Sequence, residues 1–256
     1  MANIPTALYL QGGPGLNCAV ERVWFGEKHS VLWWDQPRFP AEKENAYQAT
    51  LDAAAEKLAE LHRHHGKPRD VIGWSFGARL ALDLAHRTPD SIGDLTLLAP
   101  SLCLETAFTQ LAANLATRGA GISLPRSPHT GNHEDFMQRV MSILVIPELL
   151  SYYWAPASTA LFQRHYAYTA GSDWFDLDTF TAISREVIRR PITALATDHA
   201  VRILAGRHDP YFDLETDIEI WKRILPQASV RIVDSGHMVP LEIPTVEWIG
   251  SPTCAS

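Results

Sequence analysis

Val71-Ile72-Gly73-Trp74-Ser75-Phe76-Gly77-Ala78-Arg79-Leu80 is the stretch that decides the fold. Val71-Ile72 is an apolar, β-branched lead-in, and Ala78 to Arg87 follow with a helical pattern. Between them Gly73-Trp74-Ser75-Phe76-Gly77 fits G-x-S-x-G, the elbow that carries a nucleophilic serine from strand to helix. The glycines leave room for strand and helix to pass closely, and Ser75 is expected at a strained turn with its hydroxyl exposed. The helix N-terminus beneath it favours negative charge. An ordinary tight turn would use similar residues, so the assignment needs partners elsewhere in the chain.

Two later segments supply them. Val201-Arg202-Ile203-Leu204-Ala205-Gly206 is a strand pattern that runs into Arg207-His208-Asp209, and Val230-Arg231-Ile232-Val233 runs into Asp234-Ser235-Gly236-His237. Asp209 and His237 thus each fall just beyond a strand's carboxyl end, the edge of an open parallel sheet where reactive side chains gather. An acid followed by a histidine, both after the serine, is the order found in α/β-hydrolases. Ser75 is read as nucleophile, His237 as general base and then acid, and Asp209 as the group that orients it. His208 is adjacent to Asp209 and points elsewhere in this reading, while Asp198 and Asp213 are rival acids less well placed after the strand.

Ala7-Leu8-Tyr9-Leu10 is a buried-strand pattern opening into Gln11-Gly12-Gly13-Pro14-Gly15. With Asp35-Gln36-Pro37-Arg38 and Ser235-Gly236-His237 followed by Glu242-Ile243-Pro244, these motifs resemble the proline iminopeptidase-like branch of the α/β-hydrolase superfamily. The resemblance spans almost the whole chain. It implies an oxyanion hole built from the backbone N–H of Phe76 and of Gly13, with Gly12 as the alternative to Gly13. Two departures stand out: Gln11 occupies the position of the family's usual histidine, and Pro37-Arg38-Phe39-Pro40 breaks its Arg-Gly loop. Acidic residues to hold a free substrate amine are not evident. The fold and the nucleophilic chemistry carry over; the iminopeptidase activity does not.

Alternation of strand and helix patterns predicts an α/β fold, a mostly parallel sheet with helices on both faces. Strands are expected near 6–11, 30–35, 70–74, 94–99, 201–206 and 229–233, and core helices near 46–65, 76–87 and 215–225. The first strand starts so early that the antiparallel pair opening many members of the superfamily is expected to be missing. Residues 1–100 and 197–256 form the expected core, and 101–196 the helical lid that the superfamily inserts at this point. Lid helices are expected over Thr106–Arg118, His133–Ile146, Pro147–Trp154, Ser158–Ala170 and Thr179–Arg190. The lid is rich in aromatic residues, most of them expected to pack its own core. Gln11, Trp74, Tyr152, Trp154 and Met238 are the candidates for substrate contact.

Composition bounds the rest. The chain has 256 residues, 46% of them hydrophobic, enough for a full core. A net charge of −7 argues against nonspecific nucleic-acid binding. No apolar stretch suits a membrane span or a signal segment. Cys18, Cys103 and Cys254 are too few and scattered for a disulfide framework or metal cluster. His62, His64 and His65 close a helix, where cations are favourable without any metal, and His129 and His133 lack nearby ligand partners. The expectation is therefore a cytoplasmic serine hydrolase, monomer or homodimer, with no cofactor and no metal. Its substrate is expected to be a small ester with an apolar or aromatic group. An aminopeptidase or amidase, an acyl transferase or cyclase, and a catalytically silent binding protein are the alternatives.

Overall fold

The computed structural model describes residues 5–26, 30–117, 132–195 and 197–249; His129 and Cys254 lie outside them. Six strands form one sheet: β1 (Ala7–Leu10), β2 (Val31–Trp34), β3 (Arg69–Trp74), β4 (Ile92–Leu98), β5 (Val201–Gly206) and β6 (Ser229–Val233). Their spatial order is β2-β1-β3-β4-β5-β6, and every neighbouring pair is parallel. The sheet is thus wholly parallel among the described residues, where the sequence predicted a mostly parallel one. All six strands fall within a few residues of their expected positions.

A parallel sheet needs both faces covered, which is why its strands read as near-continuous apolar runs. Alternate side chains go to opposite sides. Leu8, Leu10, Val71, Ile203 and Ala205 enter one core, and Ala7, Tyr9, Ile72, Trp74 and Leu204 enter the other. The first core is closed by α2 (Ala46–His65) and α3 (Phe76–Arg87), which contribute Leu51, Leu58, Leu80 and Leu84. The second holds Val20 of α1 (Ala19–Phe25), a helix the sequence patterns did not reveal. Gly66 closes α2 at φ 65°, with its N–H on the carbonyl of His62, the usual left-handed glycine stop.

Between β4 and β5 the described residues form helices joined by turns and loops, with no strand among them. The α-helices are α4 (Leu104–Thr117), α5 (His133–Leu144), α6 (Thr159–Thr169) and α7 (Leu177–Val187). Local chemistry sets the starts of α5 and α7, where Asn132 and Asp176 accept the N–H of Asp135 and Thr179. The helix expected over Pro147–Trp154 is instead a short 3₁₀ turn, Leu149–Tyr153, followed by a second at Pro156–Ser158. Pro147 and Pro156 bracket this run, and proline suits a first turn but not a helix interior. After β5 come α8 (Leu214–Ile224), α9 (Val239–Glu242) and α10 (Val246–Ile249).

The helical segment is fastened to the core through the glycine turn after β1. Asp176 donates its N–H to Gly15 O at 2.8 Å, Asn17 donates to Trp174 O at 3.2 Å, and Leu16 bridges Phe175. Beside this seam His165 of α6 is almost fully buried between Trp154 and Trp174, its ring centroid 5.4 and 4.9 Å from theirs. Neither of its ring nitrogens has a hydrogen-bond partner among the described residues.

Burial of that imidazole holds its pKa down to about 4, against an ordinary 6.5. The unfolded chain therefore takes up a proton near pH 6.5 that the folded chain refuses until about pH 4. Stability falls as pH drops through that window, by an amount on the order of 3 kcal/mol. His165→Phe is expected to be no less stable than wild type at pH 7 and to lose this part of the acid sensitivity. Thermal melts of both proteins from pH 7 to pH 4 test it; parallel curves would refute it.

Candidate active site

The order of the sheet reverses between β1 and β3, since the chain runs from β1 outward to β2 and then returns to β3. Such a switch point leaves a crevice at the carboxyl ends of the strands. Two turns meet there: the glycine turn after β1 and the elbow after β3. Ser75 has φ 53° and ψ −114°, a conformation L residues seldom adopt. Its N–H is held by Leu98 O at 2.8 Å, and its carbonyl accepts from Ala78 at 3.0 Å. A Cβ on Gly73 would run into the backbone of Gly77 and Ala78, and one on Gly77 into the carbonyls of Leu10 and Gln11. Both glycines are therefore required by close backbone approach. α3 begins directly beneath the serine, and its first N–H, that of Phe76, has no hydrogen-bond partner among the described residues.

Ser75, His237 and Asp209 come together from β3, β6 and β5. Ser75 Oγ lies 3.0 Å from His237 Nε2, and His237 Nδ1 lies 2.8 Å from Asp209 Oδ2. All three residues are buried. The second carboxylate oxygen of Asp209 accepts the N–H of Tyr211 at 2.9 Å. His237 is gripped on both sides of its backbone: its N–H donates to Tyr153 O at 2.7 Å, and its carbonyl accepts Trp74 Nε1–H at 2.8 Å. Glu242 ties the same loop to the helical segment, accepting from Gly236 N–H at 2.8 Å and Ala155 N–H at 2.9 Å. Such a chain can move a proton from a hydroxyl to an imidazole while the carboxylate faces the positive ring.

The rival groups are spent elsewhere. Asp213 caps α8, accepting the N–H of Glu215 and Thr216. His208 pairs with Asp234 at 2.9 Å, and Asp198 is exposed. Asp35 accepts Cys18 N–H and pairs with Arg22, each at 2.7 Å. His62 and His65 bond Ser91 Oγ and Pro5 O, and no group of three metal-ligating side chains occurs among the described residues.

A cavity of about 420 Å³ opens over the serine. Gly13, Trp74, Ser75, His237 and Met238 line it, and most of its remaining wall is hydrocarbon from the helical segment, including Leu104, Phe108, Val140, Leu149, Phe162 and Phe180. Three residues expected to touch substrate lie elsewhere. Tyr152 is off the lining, and its neighbour Tyr153 is on it, because the 3₁₀ turn rotates the side chains differently from the expected helix. Trp154 is buried among Trp24, Phe162 and His165. Gln11 lies behind the glycine turn. Phe76 turns its ring into the core against Tyr47 and is not on the cavity lining.

Gln11 has a definite job. Its Oε1 accepts Gly12 N–H at 3.0 Å, which removes that amide as a donor. Gly13, on the cavity lining, is left with an N–H that has no partner among the described residues. The Nε2 of Gln11 donates to Asn17 O at 2.8 Å and to both oxygens of Glu21 at 3.0 Å. Gln36 braces the same turn by donating to Leu16 O at 2.9 Å. Sequence patterns missed Tyr153, Tyr211 and Glu21; only Tyr211, two residues past Asp209, carried a positional signal.

The chain belongs to the α/β-hydrolase fold family, whose model matches residues 28–244. Among solved structures it is similar to a proline iminopeptidase-related protein from Thermus thermophilus. The TM-score is 0.68 at 21% identity, covering 96% of this chain and 87% of that one. A thermophilic esterase from Thermogutta terrifontis gives a TM-score of 0.58 at 18% identity over 93% and 84% of the two chains. The 2-hydroxy-6-oxo-6-phenylhexa-2,4-dienoate hydrolase of a Rhodococcus species gives 0.59 at 17% over 94% and 87%. No curated protein matches the sequence. At these identities the structural likeness speaks to the fold. Among the described residues no helix is long and apolar enough to cross a membrane.

Glu21 is fully buried, and desolvation raises its pKa to about 7 from an ordinary 4.5, against the lowering effect of its hydrogen bonds from Gln11 and Tyr9. The folded chain therefore holds a proton there that the unfolded chain gives up earlier. Stability declines as pH rises from about 4.5 to about 7, by an amount on the order of 3 kcal/mol. Glu21→Gln, which mimics the protonated acid, is expected to flatten this slope in thermal melts from pH 4.5 to 8. An unchanged slope would refute the assignment.

Proposed function

We propose that this chain is a serine hydrolase that cleaves a carboxylic ester bearing an apolar or aromatic group, by way of an acyl-enzyme. The observation that carries the reading is the unbroken Ser75–His237–Asp209 hydrogen-bond chain beneath a largely hydrocarbon cavity. In this reading residues 101–196 are a lid over a core made of 1–100 and 197–256, and the lid supplies most of the acyl- or alcohol-binding wall.

Ser75 Oγ attacks the ester carbonyl carbon as His237 Nε2 takes its proton. The carbonyl π electrons move onto oxygen, which receives the N–H groups of Gly13 and Phe76. Asp209 stabilises the imidazolium and holds the tautomer with Nδ1–H toward itself. Collapse of the tetrahedral intermediate breaks the bond to the alcohol oxygen, which takes the proton from His237. Water then repeats the attack, releasing the acid and restoring Ser75.

An ester is preferred over a substrate with a free amine because Glu148 is the one carboxylate on the described lining, and it is exposed. The free thiols of Cys18 and Cys103 accord with a cytoplasmic location.

A fluorophosphonate probe is expected to add once, to Ser75, and not to Ser75→Ala, read by intact and peptide mass spectrometry. Aryl and medium-chain esters are expected to be cleaved faster than charged ones. Asp209→Asn is expected to lower kcat by about 10⁴. Absence of labelling on folded wild type would sink the hydrolase reading in favour of a binding protein. Release of N-terminal residues from peptides without ester cleavage would favour an aminopeptidase.

A further inference from the structure

Tyr153 ends the first 3₁₀ turn of the helical segment, and Tyr211 follows Asp209 by two residues. Their hydroxyl oxygens are 2.7 Å apart, with Tyr211 donating and Tyr153 accepting. Two hydroxyls own two protons, and one bridge uses only one of them. The other, on Tyr153 O–H in this arrangement, has no acceptor among the described residues. Both phenols line the cavity that contains Ser75 and His237. Burial raises both above the ordinary phenol range, Tyr153 to about 12, so the pair stays protonated and remains a donor.

The pair is held in register with the reacting groups. Tyr211 donates its backbone N–H to Asp209, and its ring centroid lies 4.5 Å from that of His237. Tyr153 accepts the backbone N–H of His237 at 2.7 Å and of Met238 at 3.3 Å. The unused O–H and Ser75 thus share one cavity, where a single bound substrate can meet both.

The rest of the wall narrows what can meet that donor. No lysine or arginine is on the described lining, so a carboxylate or phosphate on the substrate would enter without compensation, at a large desolvation cost. Apart from Tyr153, Tyr211, Ser75 and His237, the polar side chains on that lining are Ser101, Tyr166, Glu148, and the indoles of Trp74 and Trp174, with Tyr166 and Glu148 both exposed. The Trp74 N–H is already spent on His237 O.

Resting on the serine-hydrolase reading, we propose that the Tyr153–Tyr211 pair determines specificity by donating its spare O–H to a second oxygen on the substrate. The favoured substrate is a neutral ester with a hydrocarbon body that also carries a keto, alkoxy or second ester oxygen near the scissile carbonyl. An analogue with CH₂ in place of that oxygen function leaves the buried donor unpaired and is discriminated against.

Two matched ester pairs test this: 4-nitrophenyl hexanoate against 5-oxohexanoate for the acyl side, and butyl against 3-oxobutyl benzoate for the alcohol side. Wild type is expected to favour the oxo member of at least one pair by about tenfold in kcat/KM. In the Tyr153→Phe/Tyr211→Phe double variant that ratio is expected to fall to about one, and fluorophosphonate labelling of Ser75 reports whether its site is assembled. Tyr153→Phe alone moves the spare O–H to Tyr211, whose oxygen lies 2.7 Å from that of Tyr153; this displacement is expected to lower the ratio at least threefold, and the variant covers the case of a double variant that does not fold. Wild type that labels and cleaves the hydrocarbon esters without an oxo preference overturns this proposal alone, as does a labelled double variant that keeps the preference. Wild type that neither labels nor cleaves any ester overturns the hydrolase reading, and this proposal with it.

Discussion

Helix α3 can begin where it does only because residues 73 and 77 lack a Cβ. At Gly77 the helix backbone lies against the carbonyls that end β1, and at Gly73 the strand lies against the helix's own first turn. That approach brings the elbow and the glycine turn into one crevice at the point where the sheet reverses. It also forces Ser75 to a positive φ, a strain of about 1–3 kcal/mol. The bond from its N–H to Leu98 on β4 and the start of α3 immediately after it hold the serine there. Everything else in the site is arranged around a hydroxyl that cannot move far.

The histidine is fixed by a different means. Its loop relies on polar clamps: Tyr153 O, Trp74 Nε1 and, one residue earlier, the Glu242 carboxylate on Gly236. Glu242 also holds Ala155. The 3₁₀ turns of residues 149–158 and the histidine loop are consequently one unit. The helical segment therefore meets the site at two seams, the histidine loop and the glycine turn at Gly15 to Asn17.

What could be read in the sequence was whatever local chemistry dictates. The six strands were legible because parallel strands must be apolar on both faces, and the elbow because only glycine tolerates the contacts at 73 and 77. Asp209 and His237 were legible because both follow a strand and a glycine or turn. The unread parts depend on tertiary packing. Helix α1 is one short run of seven residues, too brief for periodicity to speak. Pro147–Trp154 reads as apolar and helical, yet it is a 3₁₀ turn, and the change of pitch exchanges Tyr152 for Tyr153 on the cavity wall. Gln11 looked like a pocket residue because it stands where the family usually has histidine. Its partner Glu21, ten residues on, is brought beneath it only when α1 folds back under the turn.

The polar and apolar halves of the site divide its work. Beneath the glycine turn lie Gln11, Glu21, Asn17 and Gln36, and most of their donors and acceptors bond to one another or to the turn's backbone. Buried polar groups are tolerable only when satisfied in this way. Above the turn the wall is largely hydrocarbon, interrupted by Gly13, Ser75, His237 and the Tyr153–Tyr211 pair. Gln11 serves this separation by taking Gly12 N–H, while Gly13, on the cavity lining, keeps an N–H with no partner among the described residues. A donor isolated in a hydrocarbon wall cannot be satisfied by a neighbour, and water is costly to hold in an apolar pocket. In the proposed reaction the N–H groups of Gly13 and Phe76 would stand oriented before the substrate arrives and would meet an anion only as its carbonyl becomes one.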